Sequence, residues 1–245
     1  MYLKKITLLK ENISSFHSYP FSIPVFKELN ELNFKSTVTF FVGENGSGKS
    51  TLLEAIATQI GFNKAGGSQN NFFEIEDTVS SLAGYLRLSW LPKISNGFFL
   101  RAETFYDFAS YLNELQRENP SINVFSSYGG KSLHEQSHGE SFLSLFKNRF
   151  GKKGIYLLDE PEAALSPARQ LALLKVIHDL EQEGASQFII ATHSPILLGY
   201  PNATILHFDG SIHEIDYEDT EHYQLTKYFL NNREGMLNKL LNDTD

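Results

Sequence analysis

Eight consecutive residues, Gly43, Glu44, Asn45, Gly46, Ser47, Gly48, Lys49 and Ser50, join a pliable backbone to one cation and one hydroxyl. That combination suits a polyphosphate. Glycines let backbone N–H groups come close to anionic oxygens, and a helix starting at the loop's end aims its dipole at them. In this reading Lys49 reaches the β- and γ-phosphates, the Ser50 hydroxyl ligates Mg²⁺, and Thr51 continues the cradle. The flanks agree. Residues 37–42 are a β-branched and aromatic run that predicts a buried strand, and residues 51–57 predict a helix. A strand, a glycine-rich turn and a helix N-terminus in that order form the context such a loop needs.

Two more sets of residues extend this chemistry. Leu157, Leu158, Asp159 and Glu160 end a second apolar run, 154–159. A carboxylate at a strand end can hold the Mg²⁺ that bridges β- and γ-phosphates, so Asp159 is a candidate ligand. Glu160, directly after it, can polarise an attacking water as general base. His193 follows a third run, 187–191. Parallel strand ends converge on one edge of a sheet, where ligands bind. His193 can there hydrogen-bond a γ-phosphate and sense its loss.

The stretch His134, Glu135, Gln136, Ser137, His138 admits two readings. On a helix it would set two imidazoles on one face with Glu135 as base, the pattern of a zinc hydrolase. Gly129 and Gly130 upstream and Gly139 downstream weaken an uninterrupted helix. The same letters contain Ser137, His138, Gly139 and Glu140 just before a predicted helix, 140–150. Serine and glycine at a helix start are a second phosphate-binding device. A purely structural role for the two histidines also stays open.

The elements that must position these residues alternate. Strands are expected at 2–10, 82–90, Gly97–Arg101 and 203–207, besides those above. A helix is expected over 104–118, where Phe105, Phe108, Ala109, Leu112 and Leu115 keep helical spacing. Ser166 and Pro167 read as N-cap and first residue of a helix that turns Leu171, Leu174, Ile177 and Leu180 inward and ends near Gly184. Asp209 and Gly210 mark a hairpin turn, and 220–241 is mostly helical. Residues 12–24 suggest loop plus a short strand, and 63–71 is the most flexible-looking stretch. Alternating strands and helices imply an α/β core with a largely parallel sheet.

Composition narrows the classes. The chain of 245 residues has ample material for a core, and its 20 phenylalanines leave apolar surface for contacts. It contains no cysteine, which excludes disulfides and thiolate metal sites. A formal charge of −8 argues against broad nucleic-acid or membrane binding. The first residues lack the apolar region of a signal peptide, and no segment is long and apolar enough to span a bilayer. A cytoplasmic location without membrane insertion is expected.

With these blocks in order, the chain resembles the ATP-binding-cassette (ABC) ATPases over nearly its whole length. Gly43 to Ser50 stands as Walker A, and Leu157 to Glu160 as Walker B with the catalytic glutamate. His193 stands as the switch histidine, and Ala163 to Ser166 lies where the family has its D-loop. Ser137, His138, Gly139 and Glu140 stand where the family has Ser-Gly-Gly-Gln. The Walker A wording is closest to the chromosome-maintenance and recombination-repair branch. The resemblance implies an ABC-type P-loop fold over 1–245, with a helical insert at 104–150 that carries the signature. It implies ATP and Mg²⁺, and an ATP-dependent head-to-tail homodimer in which Ser137 and Gly139 of one chain meet the nucleotide of the other.

Some family positions differ. His138 and Glu140 replace Gly and Gln, and the D-loop ends in Ser166 rather than Asp. Arg101, Ala102 and Glu103 stand in place of the Q-loop glutamine, so Glu103 becomes a candidate Mg²⁺ contact. Phe16, Tyr19 and Phe21 remain alternatives for the aromatic that stacks on adenine. The implied output is a soluble ATPase switch acting with an effector protein or nucleic acid, in DNA repair or phage defence. A recruitment module with little turnover and the ATPase subunit of a transporter are the alternatives.

Overall fold

The computed structural model describes residues 1–63, 67, 81–135, 141, 144–146, 148, 153–184 and 186–242. Its centre is a six-stranded sheet in the order β5-β6-β7-β3-β8-β9. The strands are β3 (Val38–Val42), β5 (Gly97–Arg101), β6 (Gly154–Asp159), β7 (Ser186–Ala191), β8 (Thr204–Asp209) and β9 (Ser211–Glu214). Pairing is parallel from β5 through β8, and only β9 runs antiparallel to β8. Every residue of β3, β6 and β7 is buried, as expected of strands covered on both faces.

Side-chain alternation divides the core into two. Phe41, Ile155, Leu157, Ile189 and Ala191 point to one face, and Phe40, Tyr156, Leu158, Phe188 and Ile190 to the other. Helix α2 (Lys49–Ile60) covers the first face through Leu52, Leu53 and Ile56. Above it lies a small antiparallel sheet, β2-β1-β4, made of β1 (Leu3–Leu8), β2 (Glu31–Asn33) and β4 (Leu86–Trp90). The second face is covered by α3 (Phe105–Glu118), α4 (Pro167–Gln182) and α5 (Pro195–Leu198). The short α1 is Pro24–Glu28, and the C-terminal α6 (Glu221–Asn231) and α7 (Arg233–Asn242) contain no buried residue.

One buried polar residue links the two sheets. Gln187 Oε1 accepts the N–H groups of Tyr2 and Leu3 at 2.9 and 2.8 Å, and its Nε2 donates to the Leu3 carbonyl at 3.0 Å. The amide thus satisfies three backbone groups that would otherwise be buried unpaired.

Several elements differ from the expectation. Residues 82–90 are strand only from Leu86, because Ser81–Tyr85 is a 3₁₀ turn that packs on α2. The short strand expected in 12–24 lies instead at Glu31–Asn33. Helix α4 buries Gln170, Leu173 and Ile177, while Leu171 stands 59% exposed. The inward stripe therefore starts one residue earlier and includes a polar residue, which apolar spacing alone cannot reveal. Ser166 occupies the N-cap of α4 but makes no capping bond. The C-terminal helix is divided at Asn232. In the connection from β5 to β6, the described residues Ser141, Ser144, Leu145, Phe146 and Asn148 are helical.

Candidate functional site

Strand register assembles the site. Arg101 pairs with Asp159, Asp159 with Ala191, and Ala191 with Phe41, one row across β5, β6, β7 and β3. The residues just beyond this row leave the sheet along one edge: Gly43 after β3, Glu160 after β6, and Thr192 and His193 after β7. β3 sits between β7 and β8, so the loop after it opens where the strand order reverses, the usual ligand crevice of an open α/β sheet.

The loop 43–50 needs its glycines. Gly43 has φ +137°, and a Cβ there would lie 2.6 Å from the Phe208 carbonyl oxygen. Gly48, at φ +103°, begins α2 in the left-handed region, against Val25 and Phe26 of α1. Lys49 is buried, and its Nζ donates to the carbonyls of Gly43 and Glu44 at 2.7 and 2.8 Å. Burial pulls its pKa below the ordinary lysine value, opposed by Glu160, Asp159 and Glu162. The first N–H groups of α2 have no intrahelical acceptor, and a helix N-terminus of this kind favours anions.

Ser50 Oγ donates to Asp159 Oδ1 at 2.8 Å. Asp159 is buried, and burial pushes its carboxyl up to about 6, although Arg101 and Ser50 favour the charged form. Arg101 joins three carboxylates. Its Nε lies 3.5 Å from Asp159 Oδ2, its Nη1 3.3 Å from Glu54 Oε2, and its Nη2 pairs with Glu103. Glu103 therefore faces Arg101, with its side chain 67% exposed, while the oxygens of Ser50 and Asp159 face one another.

Glu160 adopts the left-handed conformation at φ 49°, ψ 50°, and Asn202 is the one other described non-glycine residue with positive φ. Such a backbone costs about 1–3 kcal/mol and recurs at functional positions. Its N–H donates to the Ala191 carbonyl at 2.9 Å, which binds the turn to the end of β7. Glu160 Oε1 lies 3.6 Å from His193 Nε2.

Glu162, two residues on, holds the His193 loop. Its Oε1 accepts the His193 N–H at 2.5 Å, and burial raises its pKa against the bonds from His193 and Thr192. Gln170 joins the segment after Glu160 to the residue after His193. Its Nε2 donates to the Leu165 carbonyl at 3.1 Å, and its Oε1 accepts from Ser194 Oγ at 2.5 Å. Ser194 in turn caps α5 by accepting from Ile196 and Leu197. Sequence reasoning singled out none of Arg101 as an ion-pair centre, Glu162, Gln170 or His222, which meets His193 from α6. Each acts through contacts that register and packing create. The one available signal, nearness in sequence to Asp159, Glu160 and the D-loop stretch, held for Glu162 and Gln170 alone.

Among the described residues, four buried polar atoms at this edge have no hydrogen-bond partner: Ser47 Oγ, Arg101 Nε, Glu162 Oε2 and His193 Nε2. Three of them can donate, which suits phosphate oxygens. The Ser50 hydroxyl and Asp159 carboxylate are hard oxygen donors of the kind Mg²⁺ takes. Among the three aromatics considered for the base, Phe21 is buried in the core against Tyr85 and Phe16. Tyr19 is 64% exposed, with its hydroxyl 3.3 Å from Thr51 Oγ1 at the start of α2.

Gln136, Ser137, His138, Gly139 and Glu140 lie outside the described residues. His134 is described within a 3₁₀ turn, Leu133–Glu135, not the helix that a zinc reading needs. Its Nε2 is 3.0 Å from Ser110 Oγ and its ring packs on Tyr106. Among the described residues no group of three or more His, Cys, Asp or Glu is placed to hold a metal ion.

A family model described as "AAA domain" matches residues 11–89, which include the phosphate loop. One described as "AAA domain, putative AbiEii toxin, Type IV TA system" matches residues 142–199, which include Asp159, Glu160 and His193. The tungstate uptake system ATP-binding protein of Peptoclostridium acidaminophilum is 29% identical over 68% of this chain and 79% of its own length. Protein ea59 of Escherichia phage lambda is 26% identical over 67% of this chain, which spans only 32% of that relative. The solved structure of MJ1267, an ATP-binding cassette of an ABC transporter, matches at TM-score 0.50 and 16% identity, over 96% of this chain and 98% of that one. With a phosphate loop, a strand-end Asp-Glu pair and a strand-end histidine on one sheet edge, the chain has the fold of an ABC-type P-loop ATPase and is similar in sequence to ATP-binding proteins of that kind.

Proposed function

We propose that the chain is an ATP-gated switch in which two copies close head to tail on two nucleotides and hydrolysis reopens them. The observation that carries this reading is the convergence of Lys49, the Ser50–Asp159 pair and the Glu160–His193 pair on one sheet edge. Lys49, now held by two carbonyls, would turn to the β- and γ-phosphates. Ser50 and Asp159 would hold Mg²⁺, which neutralises phosphate charge when bound. Glu160 would take the proton of the attacking water, and His193 Nε2 would donate to the γ-phosphate. Glu103, tied to Arg101, would act on that centre through the guanidinium. Ser137 and Gly139 would complete the site of the opposite copy, so one chain alone would bind ATP and turn it over slowly.

The process we infer is DNA repair or phage defence. The second family model carries a toxin system in its description, and ea59 belongs to a phage. A transporter subunit is the second reading, favoured by the uptake protein among the relatives. Against it stands Arg101-Ala102-Glu103 where such subunits carry a glutamine. Glu160→Gln tests the switch. It should keep ATP binding, lose turnover and accumulate as a dimer with MgATP in light scattering. A variant that stays monomeric at saturating MgATP would exclude the sandwich.

A further inference from the structure

His222, in the first turn of α6, has its Nε2 2.5 Å from His193 Nδ1, and the two rings meet edge to edge and nearly coplanar, with centroids 4.7 Å apart and planes 13° apart. We propose that His222 is a positioning residue: it fixes the tautomer and orientation of His193, and so ties the C-terminal helices to the nucleotide site. The inference rests on the reading of His193 as the γ-phosphate donor.

Proton bookkeeping carries it. A hydrogen bond between two neutral imidazoles needs one N–H and one lone pair. If His193 Nδ1 donated, its Nε2 would be a bare lone pair facing Glu160 Oε1 at 3.6 Å. Lone pair and carboxylate repel. With His222 Nε2–H as donor, His193 Nδ1 accepts and its proton sits on Nε2, which attracts Glu160 and can donate to a phosphate oxygen. That Nε2 is buried and makes no hydrogen bond. Both rings favour the neutral form. Burial, then Lys49, lowers the pKa of His193, and burial lowers that of His222 against the pull of Glu221. A helix N-terminus also disfavours a cation at His222.

The tail is fastened at a second point beside the same loop. Tyr217 Oη donates to the Pro195 carbonyl at 2.9 Å, two residues after His193, and its ring packs on Tyr223 of α6 at 4.6 Å. Between these contacts a cavity of about 760 Å³ separates α6 from α5, lined by His193, Ile196, Tyr217, Tyr223 and Leu230 among others. His222 of α6 and Tyr217 just before that helix both hold this loop, so a shift of His193 on phosphate loss passes into α6.

The test is steady-state ATPase kinetics on the full chain. His222→Ala should lower kcat about 10–100-fold, the cost known for losing the partner that orients a metal-ligating histidine, with the KM for ATP little changed. His222→Gln, which keeps an N–H donor, should restore most of kcat. His222→Phe, which keeps a flat ring but no donor, should be as slow as the alanine variant. In a His193→Ala background, His222→Ala should cost nothing more. Wild-type kcat in His222→Ala or His222→Phe, or an additive loss in the double variant, would overturn the proposal. If His222→Ala fails to fold, the Gln and Phe variants decide. His193→Ala at wild-type rate would instead overturn the underlying role of His193.

Discussion

Asp159 holds a conflict between burial and charge. Burial raises its carboxyl from 3.8 to about 6, although Ser50 and Arg101 both favour the charge. The folded pKa lies above the unfolded one. Its contribution to stability is therefore complete below about pH 3.8 and is lost as pH rises through about 6. At neutral pH the ligand-free protein bears the cost of that ionised group, up to about 3 kcal/mol. Asp159→Asn should then melt higher than wild type in Mg²⁺-free buffer at pH 7.5. The gap should narrow as pH falls toward 4, and Mg²⁺-dependent nucleotide binding should disappear. A variant less stable than wild type at every pH would mean that the Ser50 and Arg101 contacts outweigh burial. Lys49, Ser50, Asp159, Glu160 and His193 were legible as residue types at telling positions. Arg101, Glu162 and His222 were not, because charge or ring character alone does not say what a side chain will touch.

At the scale of elements, apolar period predicted β3, β6 and β7 well, since strands buried on both faces leave uninterrupted apolar runs. It failed where a polar residue belongs to a buried face. Gln170 displaced Leu171 from the inner stripe of α4 because its amide bridges Leu165 and Ser194. Gln187 is the stronger case. It lies within a wholly buried strand and joins β7 to β1 by three bonds. Gln187→Leu should leave two backbone N–H groups and one carbonyl without partners, at about 1–3 kcal/mol each. Thermal unfolding should show the loss, and hydrogen exchange should rise first at Tyr2 and Leu3. Unchanged stability would mean that β1 finds other partners. The 3₁₀ turn at Ser81–Tyr85 was equally hidden, for its residues are as apolar as those of the strand that follows.

At the scale of the whole molecule, the described residues form half of the proposed reaction centre. If a second copy supplies the rest, ATPase activity per chain should rise with protein concentration before reaching a plateau, as mass action requires. A constant rate per chain over about a hundredfold dilution would show that one copy suffices. The sequence by itself determined the phosphate loop, the acidic strand end, the strand-end histidine and an α/β order. Those features are local: each depends on residues adjacent along the chain, or on the period of a single strand or helix. Only the tertiary structure decided that Arg101, Asp159, Ala191 and Phe41 share one row, that Glu103 faces a guanidinium, and that His193 leans on a second imidazole from α6. Those contacts join residues far apart in the chain. Strand order and register bring them together, and no local pattern encodes either.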